Sequence, residues 1–87
     1  MLDIHLRTGD RRALPYAYLL GIDYARSTGI TLQYTAANVH IRGRNLAQLY
    51  DGFITQRVLW ITEGMPSLDF VVPETAPFVG EITVSTR

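Results

Sequence analysis

Residues 14–24 alternate two faces for longer than a chain this small can hold straight. Leu14, Tyr16, Tyr18, Leu20, Ile22 and Tyr24 share one side, and Ala13, Pro15, Ala17, Leu19, Gly21 and Asp23 the other. A period of two is the signature of a strand. Eleven residues at 3.3 Å each span about 36 Å. A compact domain of 87 residues is only roughly 31 Å across, from a radius of gyration near 12 Å. The segment must therefore bend, protrude or be interrupted. Gly21 offers a bend point, and Pro15 suits only a sheet edge or a first strand position. The alternative is a short helical turn within residues 15–20.

The flanking segments share this grammar. Residues 2–7 place Leu2, Ile4 and Leu6 on one face and Asp3, His5 and Arg7 on the other. Thr8 to Arg12, with Gly9-Asp10, reads as a turn. Ser27-Thr28-Gly29 closes a hairpin into a strand at 30–35. Ala36-Ala37-Asn38 turns into a strand at 39–43, completing an antiparallel meander. The period then changes. Leu46, Leu49, Tyr50, Phe53 and Ile54 form a helical stripe. Asn45 takes the N-cap position, with Gln48 three residues on. The helix runs over 45–56, weakened by Gly52. Val58 to Ile61 suits a buried strand, and continued helix is the alternative. Residues 64–66 form a turn, 68–72 a strand, 73–77 a loop and 79–86 a final strand. The order β-β-β-β-α-β-β-β lacks repeated βαβ units. It predicts one α+β domain over residues 1–87, a mainly antiparallel, strongly curved sheet or open barrel with one helix across it.

Composition narrows the chemistry. Cysteine is absent, which removes disulfides and thiolate chemistry and suits a reducing cytoplasm. No apolar run reaches the roughly 18 residues of a membrane helix. Arg11-Arg12 precede an apolar stretch like a twin-arginine leader, but acids flank the pair, Pro15 and Gly21 interrupt the stretch, and no cleavage pattern follows. We read it as structure. Net charge is zero, so the whole chain has no long-range pull on nucleic acid or anionic membrane. Residues 1–57 carry seven arginines against four acids, +3, and residues 58–87 one arginine against four acids, −3. Complementary packing explains this most simply. Every basic residue is arginine, which suits phosphate and carboxylate but also follows from coding bias. Charged residues are 18% of the chain, which favours self-association into a homo-oligomer through apolar surface.

Three places could carry chemistry. Ile4-His5-Leu6-Arg7 is echoed by Val39-His40-Ile41-Arg42, and these are the only two histidines. If the two strands are neighbours, His5, Arg7, His40, Arg42 and Arg44 converge. Paired imidazoles could then serve as acid and base beside a guanidinium-held phosphate, as in a small ribonuclease. Otherwise they form a solvated polar face. The second place is Arg42-Gly43-Arg44-Asn45, where two arginines meet a helix N-terminus and could hold an anion. The alternative there is a self-capped helix. The third is the tyrosine set Tyr16, Tyr18, Tyr24 and Tyr34, an interface or core surface and less readily a base-stacking one. No spacing suits a metal, cofactor or phosphate loop. The expected function is a non-enzymatic binding or self-association module. The alternatives are a weak nucleic-acid or phosphate binder using Arg7, Arg42 and Arg44, and a ribonuclease using His5 and His40.

Overall fold

The computed structural model describes residues 1–64 and 77–86. Among them run β1 (Leu2–His5), β2 (Arg11–Leu14), a 3₁₀ turn (Tyr16–Tyr18), β3 (Leu19–Ala25), β4 (Gly29–Tyr34) and β5 (Ala37–Arg44). α1 (Ala47–Ile54), β6 (Trp60–Thr62) and β7 (Phe78–Thr86) follow. The fold is α+β with mostly antiparallel sheets. The described strands form a three-stranded sheet, β2-β1-β6, and a four-stranded sheet, β3-β4-β5-β7. Neither closes, so the expected open barrel is not seen among them. Only β1 and β6 pair in parallel within these ladders.

The long alternating segment is interrupted. Pro15 stays extended, and Tyr18 N–H donates back to Pro15 O at 3.2 Å in a single tight turn. This splits the segment into the end of β2 and the start of β3. A bulge between Leu19 and Gly21 shifts the register again. The longest molecular axis is 35 Å, so an unbroken strand had no room. Residues 8–12, expected as a turn, tighten at Leu6–Asp10, and Arg11 already belongs to β2. The strand expected at 68–72 and nearly all of 64–66 and 73–77 lie outside the described residues.

One core joins both sheets and the helix. Leu2, Ile4 and Ile61 come from the smaller sheet, and Ile30, Leu32, Tyr34, Val39, Ile41 and Ile82 from the larger. Leu46 and Phe53 complete it from the helical segment. The alternation of β4 and β5 predicts this inward face, and its positions are buried as far as Ile41, beyond which a bulge breaks the pattern. α1 differs at its ends. Asn45 takes a left-handed conformation (φ 55°), so Leu46 is the N-cap and has no side-chain capping bond. The expected N-cap, Asn45, therefore lies one residue before the observed one. The helix stops at Ile54, which is exposed although it continues the apolar stripe. No described helix is long and apolar enough to cross a membrane.

Candidate functional site

The two histidines lie in different sheets. His5 ends β1 in the three-stranded sheet, while His40 sits mid-way along β5, between β4 and β7. His40 Nδ1 is 2.9 Å from Thr31 Oγ1 on β4, and its partner across β7 is Thr83. It belongs to a polar sheet face of short hydroxyl and amide side chains. His5 engages a separate set of groups, so the structure does not assemble the two imidazoles into one site.

The arginines disperse as well. Arg7 is a clasp. Its guanidinium donates to Gly64 O at 3.0 Å and Gly80 O at 2.6 Å, and its backbone N–H donates to Glu63 Oε1 at 2.9 Å. The other Glu63 oxygen accepts from Ile82 N–H at 3.0 Å. Burial works against the Glu63 charge, but these two backbone donors and the Arg7 charge outweigh it and hold the carboxyl below the usual glutamate range. Arg7 shares a shallow hollow of about 230 Å³ with Arg42, Gly43, Gly80 and Glu81. Arg44 and Asn45 line a different one, about 340 Å³, where Arg26 and Tyr24 join them. Gly43 has a structural cause. At the β5–β7 bulge a Cβ there would meet Phe78 O at 1.8 Å. Arg44 lies over the Phe78 ring, 5.9 Å from its centroid.

Of the four tyrosines, Tyr34 belongs to the core. Burial, and then its neighbour Tyr16, push its hydroxyl pKa up to about 12. Tyr16 is half-buried and donates its hydroxyl to Val58 O at 2.7 Å; burial raises its pKa also. Only Tyr18 and Tyr24 present substantial surface. Tyr24 packs on Tyr50 of α1 with ring centroids 5.5 Å apart.

The best-defined polar cluster crosses the outer face of the smaller sheet. In β1, Asp3 faces Ala13 on one side and Trp60 on the other; His5 faces Arg11 and Thr62. Period-two geometry puts Asp3 and His5 on one face. His5 Nε2 donates to Asp3 Oδ2 at 2.9 Å, and the Arg11 guanidinium donates to the same oxygen. The Arg11 hydrogen bond first, and the His5 bond second, hold the Asp3 carboxyl below its usual range. The imidazole stacks on Trp60, centroids 6.0 Å apart at 28°. Asp3, His5, Arg11, Leu59 and Trp60 line an open cleft of about 380 Å³. Among the described residues its lining includes no serine or threonine, so the Asp3–His5 pair orients a ring rather than activating a protein nucleophile. The sequence places Asp3 and His5 on one face. It gives no sign of Trp60, because the parallel β1–β6 pairing joins residues far apart in the chain.

No group of three or more metal-ligating side chains occurs among the described residues. Searches against protein-family models, curated proteins and solved structures return no match, so function is argued from geometry.

Proposed function

We propose that the chain is a non-enzymatic binding module that acts by self-association, with the outer edge of β3 as the contact. One observation carries this reading: a strand edge with no described strand partner, combined with exposed apolar side chains beside α1. β3 ends the larger sheet, with no described strand on its outer side. The opposite edge, β7, is partly covered, since Val79 O accepts from Gly64 N–H and Ile82 N–H reaches Glu63. Leu20 is 65% exposed, Tyr18 60% and Ile54 53%. Leu19, Leu20, Gly21, Ile22, Tyr50 and Ile54 line one apolar groove there. Unpaired edges with apolar side chains are templates for strand pairing.

A second copy satisfies this edge. An antiparallel pairing centred on Ile22 sets Leu20 opposite Tyr24 of the partner subunit and Asp23 opposite Gly21 of the partner subunit. No like charges oppose each other, and zero net charge gives no long-range repulsion. The product is a two-fold dimer with one continuous sheet across it. The absence of cysteine supports a reducing compartment such as the cytoplasm for this module. The ribonuclease alternative draws no support from the placement of His5 and His40, and Arg7 is engaged by backbone carbonyls.

Sizing with light scattering tests the reading. The expected result is a dimer at tens of micromolar that becomes monomeric in Leu20→Arg, with unchanged far-UV dichroism. A wild-type monomer at high micromolar concentration overturns it.

A further inference from the structure

We propose that the outer face of the three-stranded sheet is a binding site for a nucleobase carrying a phosphate, stacked on Trp60 and held by Arg11. This site lies on the other sheet from the β3 edge and does not depend on self-association.

Trp60 is 61% exposed on a sheet face, and among the described rings His5 stacks on it. His5 lies against the ring at a stacking angle and is itself fixed by Asp3. The indole is therefore held in place before any ligand arrives. Preorganised aromatic rings on a sheet are the platform on which single-stranded nucleic acids stack their bases.

Arg11 supplies the second half. It stands across β1 from the indole side, and among the described residues Asp3 takes its one side-chain hydrogen bond. A guanidinium has five N–H donors in a planar fork, and Arg11, whose side chain is largely exposed, keeps donors for a phosphate. The face offers a flat ring and a cation within one cleft of about 380 Å³, inside the size range of small-ligand sites. Leu59, 65% exposed, lines the cleft beside the indole, and the same face carries the small or polar Ala13 and Thr62.

Two sources share this chemistry, a free nucleotide and a single-stranded nucleic acid. Trp60 is the only tryptophan, so its fluorescence reports on the site alone. The full chain is titrated at low salt with AMP, with an oligothymidylate and with inorganic phosphate. Saturable quenching is expected with AMP, with the oligonucleotide or with both. Quenching by AMP alone identifies a free nucleotide; tighter, salt-sensitive binding of the oligonucleotide identifies a single strand. Followed by anisotropy of whichever labelled ligand binds, Trp60→Leu is expected to weaken binding roughly 5- to 150-fold, the range of one stacked base. Arg11→Ala is expected to weaken it about tenfold or more. Both positions are exposed, and far-UV dichroism verifies folding. The proposal is overturned by no saturable quenching from AMP or oligonucleotide, by phosphate alone matching AMP, or by unchanged affinity in Trp60→Leu.

Discussion

Gln56 sits where a helix prefers glycine. Its φ is 57°. Its N–H donates to Phe53 O at 3.1 Å, and Arg57 N–H donates to Gly52 O at 2.8 Å. These two bonds make a Schellman motif with glutamine at the left-handed position. A side chain there costs about 1–2 kcal/mol, partly offset by the lower entropy of its unfolded chain. Gln56→Gly is therefore expected to stabilise the fold by about 0.5–1 kcal/mol. Thermal melting should show a rise of a few degrees, and a fall would contradict the motif. Gly52, which counts against a helix in isolation, has a compensating reason at this end. A Cβ there would stand 2.7 Å from Val58 Cγ2, so its absence lets the chain fold back towards β6.

At the level of elements, the sequence is most legible where one face is wholly core. β4, and β5 as far as its bulge at Arg42/Gly43, alternate without error because Ile30, Leu32, Tyr34, Val39 and Ile41 must all turn inward. It is least legible where local geometry decides. The N-cap expected at Asn45 falls one residue later, at Leu46, because the Asn45 backbone is left-handed. Gly43 is similar, since in sequence it suggests room for a ligand. In the fold it relieves the β5–β7 bulge, where Phe78 O comes close. Gly43→Ala is expected to destabilise by about 2–3 kcal/mol, the cost of forced overpacking. Chemical denaturation measures it, and a neutral result would reassign Gly43 to the adjoining hollow.

On the scale of the whole molecule, Glu63 and Arg7 tie the two sheets together. The Glu63 carboxylate accepts from Arg7 N–H beyond β1 and from Ile82 N–H on β7. Its pKa is lowered on folding, so its contribution is fully present above the unfolded value, near 4.3. That contribution is lost as pH falls through the lower folded value. Urea midpoints between about pH 6 and pH 3 should therefore fall for the wild type and fall less for Glu63→Gln. At neutral pH the variant should be weaker by about 1–2 kcal/mol. Parallel slopes would remove Glu63 from this role. The clasp also explains why Arg7 was hard to place from sequence. Its partners come from Glu63, Gly64 and Gly80, and no local pattern announces contacts of that span.

β5 is flanked by β4 and β7, but the ribosome delivers these neighbours at very different times. β4 precedes β5 immediately, whereas about forty residues separate Arg44 from Thr86. At roughly 5–20 residues per second, β5 waits about 2–8 s for its second partner. During that interval its unpaired edge exposes Val39, His40 and Ile41 to solvent. Nascent chains on one polysome are close enough to lend each other a strand then. Slow synthesis or crowded expression should thus favour exchanged β7 segments and inclusion bodies over correctly closed subunits.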